Sequence, residues 1–314
     1  VVEMMDLEEL VRRLHHPRGA WARVDVHEQV DSTNTQAAGD PQPWRIVVAA
    51  EQTAGRGRQG RAWSSPPGTS VSLSMVVPLP APGVDLGWVP LLTGLAVARG
   101  LGGLLGRPEA FGLKWPNDVL VEPLTPGSPG KVCGILCQVV GSVVVVGVGV
   151  NVSAPPDSLP SASPPGQSGT SGQPLPPGQP LPPGRPAAAA APSPGGDSVA
   201  APPSPIRAVS LAECAAFVPR REDVVVAVAQ AFAQTYARFA SGAGALPQLR
   251  AEYSAACVSV GRVVDIYLPN GRHTVGTAES VDSEGKLVVR EAGSGEIYAF
   301  AAGDVFHIRP RNSA

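Results

Sequence analysis

The sequence predicts an α+β protein: a mixed β-sheet flanked by helices, followed by a small all-β domain. Three observations predict it. Apolar runs of strand length occur at Ile46 to Ala50 and Val143 to Val150, and Val71 to Val77 alternates as a strand does. Leu91 to Leu105 and residues 222 to 240 have the length and spacing of core-facing helices. From Val258 onward the period drops to two, in the short segments Val263–Leu268, Thr274–Ala278, Lys286–Arg290, Glu296–Phe300 and Val305–Ile308. Pro269-Asn270-Gly271 supplies a hairpin turn between the first two, so this part reads as a small barrel. The expected division is 1–255 and 256–314.

Composition narrows the function classes. The 314 residues are 43% apolar and 16% charged, ordinary for a globular chain with one large core and a small satellite domain. A formal net charge of −2 gives no global attraction to nucleic acid, so anion binding has to be local. The four cysteines, 133, 137, 214 and 257, have no zinc or redox spacing, and Cys133 and Cys137 read as buried reduced thiols. No N-terminal stretch has the form of a secretion signal, and the longest apolar run is short of the ~20 residues that span a bilayer. The expectation is a cytoplasmic protein without a membrane segment.

In chain order, Met5, Leu7, Leu10, Val11 and Leu14 predict one short amphipathic helix over residues 5–15, with acids early and bases late. His15 and His16 read as solvated residues at its end. Val24 to Val30 alternates as a half-buried strand, and Asp31-Ser32-Thr33-Asn34-Thr35 then offers N-cap side chains, Ser32 or Thr33, for a following helix. The next strand ends in Glu51-Gln52 and runs into Gly55-Arg56-Gly57-Arg58-Gln59-Gly60-Arg61-Ala62-Trp63. Glycines let backbone N–H groups approach anionic oxygens, arginines grip phosphate or carboxylate bidentately, and Trp63 offers a face for a base to stack on. A solvated Arg-Gly turn has the same composition.

Further on, Lys114-Trp115-Pro116-Asn117-Asp118 reads as a rigid strand break, because Pro116 lacks an N–H and holds Trp115 extended. It presents Lys114 and Asn117 to a nucleotide or is a plain turn; Asp118 either helps hold a metal or orients arginines. Gly130-Lys131-Val132-Cys133-Gly134-Ile135-Leu136 opens a strand to Val140, and the run Val143 to Val150, with Gly147 and Gly149 permitting close approach, delivers Asn151. Residues 153–205 hold nearly half of the prolines, repeated Leu-Pro-Pro-Gly units and almost no charge. Such a composition buries too little apolar surface to offset ordering and predicts disorder. Val209-Ser210-Leu211 resumes the fold, and Glu222-Asp223 opens the long helix to 240.

Four of these segments, Asp31-Ser32-Thr33-Asn34, the Gly-Arg-Gly-Arg loop, Lys114-Trp115-Pro116-Asn117-Asp118 and Gly130-Lys131-Val132-Cys133-Gly134-Ile135-Leu136, resemble in order and spacing the catalytic module of biotin protein ligases. The resemblance covers most of residues 20–153 and resumes from about 207. It implies a class II synthetase-like catalytic domain with an SH3-like C-terminal domain. The implied activity is ATP- and Mg²⁺-dependent attachment of biotin, through biotinyl-5′-adenylate, to a lysine of a biotin carboxyl carrier domain. Residue by residue, it implies biotin contacts from Ser32, Thr33, Asn34, Gln52, Arg56, Gly57, Arg58, Lys131 and Gly134. ATP contacts are implied from Arg58, Arg61, Trp63, Lys114, Asn117, Lys131 and Asn151, with Arg56, Arg58 and Lys131 acting on the reacting anions and Asp118 as a metal candidate.

Two alternatives remain beside it: a lipoate or octanoate ligase or transferase of the same superfamily, and a non-catalytic regulator that binds biotinyl-adenylate. Only about twenty residues precede the match, fewer than the DNA-binding domain of the repressor-type relatives needs, so no nucleic-acid partner is expected. The sequence leaves a homodimer open.

Overall fold

Sequence period translates directly into two kinds of surface. Where apolar residues fill both phases of a strand the strand is buried on both faces, and where serine or glycine takes one phase that face is left for something else. The computed structural model describes residues 5–15, 20–64, 66–82, 84–125, 127–153, 206–242, 244–268, 273–301 and 304–307. The proline-rich stretch 154–205, the Pro269-Asn270-Gly271 turn, His16 and Ile308 lie outside the described residues.

The first part of the chain runs α1 (Leu7–Leu14), β1 (Arg23–Val30), α2 (Thr33–Gly39), β2 (Arg45–Gln52), β3 (Ser70–Pro78), α3 (Trp88–Leu105), β4 (Phe111–Lys114), β5 (Asp118–Val121), β6 (Gly130–Val140) and β7 (Val143–Asn151). After the proline-rich stretch come α4 (Arg221–Ala240) and α5 (Leu246–Ala256). The strands form a seven-stranded sheet in the order β1-β2-β3-β7-β6-β5-β4. It is mixed, because β1 and β2 run parallel while every other neighbouring pair is antiparallel.

One face of this sheet carries the main core. Val71, Leu73, Met75 and Val77 of β3, with Val144, Val146, Val148 and Val150 of β7, pack there with residues of α3, α4 and α5. α3 is the helix among the described residues that is long and apolar enough to cross a membrane, and 72% of it is buried inside the protein. The opposite face is covered only in part: Ala37 of α2 packs on Val47, Val76, Val143 and Val145. Beyond α2 the same face is lined by Ser72, Ser74, Gly147 and Gly149, and there the sheet is open to a ligand.

α2 is held in place by Arg45. Its guanidinium, 5% exposed, meets Asp25 Oδ2 at 2.5 Å and donates to the carbonyls of Asp40 (2.6 Å) and Gln36 (3.3 Å), the C-terminal end of α2. Burial raises the Asp25 pKa, but hydrogen bonds from Arg45 and then Arg23 outweigh it and hold the carboxyl below its usual value. A depressed pKa contributes stability that is present above the unfolded pKa of ~3.9 and is lost as pH falls through the folded value. We expect Arg45→Met to cost ~3–5 kcal/mol at pH 7, at the low end because Arg23 still pairs with Asp25. The difference should shrink at pH 3. Urea unfolding at both pH values is the check, and equal midpoints for the two proteins at pH 7 would show that α2 needs no such anchor.

Two elements depart from the sequence expectation. Neither Ser32 nor Thr33 caps α2 with its side chain: Ser32 is the N-cap by its carbonyl, which accepts from Gln36 N at 3.0 Å, and the Thr33 hydroxyl is engaged elsewhere. α5 has no counterpart in the sequence reading, because its only fully buried anchors are Leu246, Leu249 and Tyr253, too sparse a stripe to stand out. Cys133 is buried as expected, and burial raises its pKa, but Cys137 is only half-buried; all four thiols are free.

The C-terminal segment forms β8 (Val263–Tyr267), β9 (His273–Val281), β10 (Leu287–Glu291), β11 (Ile297–Phe300) and β12 (Asp304–His307), an antiparallel five-stranded sheet in the order β11-β10-β9-β8-β12 of the SH3-like kind. Its β9–β10 turn is pinned to α3, α5 and the β4–β5 turn. Trp88 Nε1 and Arg250 donate to Ser283 O, and Trp115 Nε1 donates to Gly285 O, at 3.0, 2.8 and 3.0 Å.

Candidate functional site

The open half of the large sheet becomes a cleft because three loops rise around it. At its floor, register aligns Ser74 with Gly147 and Gly147 with Leu136, and in the next row of the same face Gly149 with Gly134 and Gly134 with Asp118. Rows two residues apart lie ~7 Å apart along the strands. Glycine at 147 and 149 is required by close approach: a methyl at Gly147 would overlap Asn34 Oδ1, and one at Gly149 would overlap the Trp63 indole.

Over the first row stands a neutral polar set from the start of α2 and the end of β2. Ser32, Thr33 and Asn34 are each at most 5% exposed. Thr33 N donates to Gln52 Oε1 at 2.8 Å, and Thr33 Oγ1 lies 3.2 Å from the same oxygen. Asn34 Nδ2 donates to Leu136 O at 3.1 Å, while Ser74 Oγ lies 2.6 Å from Asn34 Oδ1 and 2.8 Å from Thr33 Oγ1. Gln52 can reach Thr33 because β1 and β2 are parallel neighbours paired Val30 to Gln52, so both strand ends open on the same edge.

Over the second row stand the charges. The Gly-Arg loop closes on itself as a small hairpin, with Arg56 bridged to Ala62, Gly57 N donating to Arg61 O at 2.7 Å, and Gln59 and Gly60 taking positive φ at its tip. It lays Trp63 on the glycines of β6 and β7, with Lys131 Nζ 5.9 Å from the ring centroid. Arg58 reaches across to the β4–β5 turn, donating to Asn117 Oδ1 at 3.1 Å, and Asn117 Nδ2 in turn donates to Ile135 O at 2.9 Å. The pair Lys131 Nζ to Asp118 Oδ1 measures 2.7 Å, and Lys114 Nζ lies 3.7 Å from Asp118 Oδ2.

The cleft of about 140 Å³ that results is lined by Ser32, Thr33, Asn34, Gln52, Arg56, Gly57, Arg58, Arg61, Trp63, Asn117, Lys131 and Gly134, with Leu136, Gly147 and Gly149 along its floor. Four cations and no carboxylate face it, so it favours an anion at one end and a neutral polar ring at the other. A second cavity of about 540 Å³ adjoins it, sharing Gly57, Arg58, Asn117, Ile135 and Leu136, and is closed by Asp85, Trp115, Pro116 and the Glu284-Gly285-Lys286 turn of the C-terminal sheet.

Most of the residues singled out in the sequence therefore converge. Lys114 and Asn151 do not line either cavity: Lys114 backs Asp118, and Asn151, 2% exposed, spends its amide on Val209 O at 3.1 Å. Asp118, the metal candidate, has Lys131 Nζ 2.7 Å from Oδ1 and Lys114 Nζ 3.7 Å from Oδ2, and no cluster of three metal-binding side chains exists among the described residues. Ser74 went unnoticed in the sequence, and Glu284-Gly285 reads there only as a break before the strand Lys286–Arg290, with nothing to place it at a cavity. A serine alternating with apolar residues reads as a solvent face, and nothing local indicates that this face lies under α2.

Comparison with known proteins gives the following. Residues 26–153 match the model of the Biotin/lipoate A/B protein ligase family. A biotin-[acetyl-CoA-carboxylase] ligase of Mycobacterium tuberculosis is 30% identical over 97% of this chain and 96% of its own length. A ligase of the same name from Paracoccus denitrificans is 35% identical over 44% of this chain and 59% of its own. Among solved structures, the biotin protein ligase of Aquifex aeolicus in complex with biotin and ATP superposes with a TM-score of 0.64, at 21% identity, over 92% of this chain and all of that one.

Proposed function

The chain belongs to the biotin-[acetyl-CoA-carboxylase] ligases of the biotin/lipoate A/B protein ligase family, and from that premise we propose that the cleft over β6 and β7 carries out both half-reactions of protein biotinylation. The single observation behind this is the division of one cleft into a neutral hydrogen-bonding end and a cationic end with no carboxylate. Biotin has the matching halves, a ring urea and a valerate carboxylate. A lipoyl or octanoyl group has the carboxylate but no urea, so the Ser32, Thr33, Asn34 and Gln52 set would be left unused.

In the first step a biotin carboxylate oxygen attacks the α-phosphorus of ATP, the Pα–O bond to the β-phosphate breaks, and pyrophosphate leaves with biotinyl-5′-adenylate formed. Negative charge grows on the phosphoryl oxygens, and Lys131, Arg58 and Arg56 are preplaced cations that stabilise it without reorganising. In the second step the neutral amine of an acceptor lysine, on a biotin carboxyl carrier domain, attacks the acyl carbon; the bond to AMP breaks and an amide forms. No side-chain nucleophile takes part. Catalysis is orientation and charge stabilisation, with water excluded while the anhydride waits.

The larger cavity supports a nucleotide position reached from the same cations, with Trp63 and the Trp115–Asn117 turn near it and the C-terminal β9–β10 turn completing its wall. On this reading residues 1–255 hold the chemistry and 256–314 finish the ATP side or help seat the acceptor. Mg²⁺ would arrive with the phosphates of ATP and offset their charge; the described residues offer it no carboxylate cluster.

The test is pyrophosphate release with Mg-ATP and either biotin, lipoate or octanoate. Release with biotin alone is expected; release with lipoate or octanoate and none with biotin would overturn the reading. Gly147→Ala supplies a second check. Its methyl should push Asn34 off Ser74 and Leu136 O, raising KM for biotin about five- to 150-fold while KM for ATP stays within about twofold, since disturbing those two hydrogen bonds costs ~1–3 kcal/mol at that end only. Parallel rises in both constants would mean that the two ends of the cleft are not separate.

A further inference from the structure

Ser74 is a fully buried hydroxyl in the middle of the large sheet, and a hydroxyl so placed needs partners. It has two, and their chemistry fixes where each proton goes. Asn34 Nδ2 faces Leu136 O, so the amide can only present its oxygen to Ser74. Asn34 Oδ1 cannot donate. The one proton of Ser74 therefore goes to Asn34, and towards Thr33, 2.8 Å away, Ser74 can only accept. Thr33 must then turn its own proton to Ser74, because otherwise two oxygens would meet lone pair to lone pair.

The consequence falls in the cleft. With its proton committed to Ser74, Thr33 Oγ1 does not donate to Gln52 Oε1, although the two lie 3.2 Å apart. Gln52 Oε1 already receives Thr33 N–H at 2.8 Å and keeps one lone pair. Two acceptors thus stand side by side on the cleft wall, and a ligand that displaces water from them must bring a donor of its own.

Building on the function proposed above, we propose that Ser74 is a positioning residue for substrate choice: it polarises the Thr33–Gln52 pair as acceptors and thereby selects a ligand bearing a ring N–H, the urea of biotin. Ser74 does not touch the ligand; it acts through Thr33. Without it, Thr33 is free to swing its proton to Gln52 Oε1, which fills the last lone pair of Gln52 and leaves Thr33 Oγ1 as the one open acceptor, so the demand for an N–H donor weakens. An acid whose ring carries no N–H, such as lipoate, leaves the polarised pair unpaired and is rejected for that reason.

The experiment measures KM for biotin and for ATP in wild type, Ser74→Ala, Thr33→Val and the double variant. Ser74→Ala is expected to raise KM for biotin about tenfold or more, with kcat and KM for ATP within about twofold, and the double variant should be no worse for biotin than Thr33→Val. Ser74→Thr, which keeps the hydroxyl, should recover most of the loss. An unchanged biotin KM in Ser74→Ala, additive effects in the double variant, or an equal rise in KM for ATP would overturn the proposal. A second measurement needs no variant: competition by two cyclic carbamate analogues of biotin, each with one ureido N–H replaced by oxygen. One of them should bind wild type about a hundredfold more weakly than biotin, and equal binding of all three would overturn the proposal as well. Wild type that turns over lipoate instead of biotin would remove the parent function, whereas biotin turnover indifferent to Ser74 would remove this inference alone.

Discussion

Lys131→Ala is expected to slow adenylate formation by about 10²–10³ while leaving the fold intact. The loss corresponds to ~2.7–4 kcal/mol of transition-state stabilisation, the usual cost of deleting one preorganised group aimed at developing negative charge. Structure argues that the effect will be chemical and not structural. Lys131 is partly exposed, it pairs with Asp118 at 2.7 Å, and Asp118 retains Lys114 at 3.7 Å when Lys131 is gone. No carboxylate is stranded, so the thermal midpoint should move by only a few degrees. Single-turnover formation of biotinyl-adenylate, alongside circular dichroism, is the measurement. A folded variant that releases pyrophosphate at the wild-type rate would take Lys131 out of the chemical step.

Arg58→Gly should separate making the adenylate from keeping it. Arg58 crosses from the Gly-Arg loop to Asn117 at 3.1 Å, and Asn117 is itself braced on Ile135 O, so the arginine ties a mobile type of sequence to the rigid β4–β5 turn. It also borders both cavities. Losing a hydrogen bond to a charged group costs ~1.5–3 kcal/mol, which predicts adenylate release about ten- to a hundredfold faster, with synthesis reduced less. Free biotinyl-adenylate acylates amines without selection, so unrelated lysines nearby should become labelled. Adenylate dissociation and labelling of a bystander protein are followed together. Unchanged dissociation with lost synthesis would confine Arg58 to the chemical step and remove its part in retention.

Much of this was legible before any coordinates. The order of four short motifs carried the family, because each puts glycine, arginine, lysine or proline where a backbone must approach an anion or break a strand. Periodicity carried most of the strands and the long helices. It failed at α5, whose apolar stripe is thin, and at the Ser32–Thr33 cap, where local propensity is overridden by Gln52 and Ser74, partners 19 and 41 residues away from Thr33. Local sequence cannot price a competitor that distant.

Amino-acid order already contains most of the elements, the family, and the chemical types gathered for the work: cations between glycines, short neutral side chains after β1, a lysine at the mouth of β6. Those follow from period and composition, which are local properties. Tertiary structure alone decided which of them meet. Parallel pairing of β1 with β2 brings Gln52 to Thr33, antiparallel register of β3, β7 and β6 sets Ser74, Gly147 and Leu136 in one row, and the β9–β10 turn closes a cavity begun by Trp115. It likewise set Asn151 aside on Val209 and gave Asp118 to two lysines. The reason is physical: strand register and proton direction are fixed by burying one whole face and satisfying every hydroxyl on it at once, and that constraint exists only when all the strands are present.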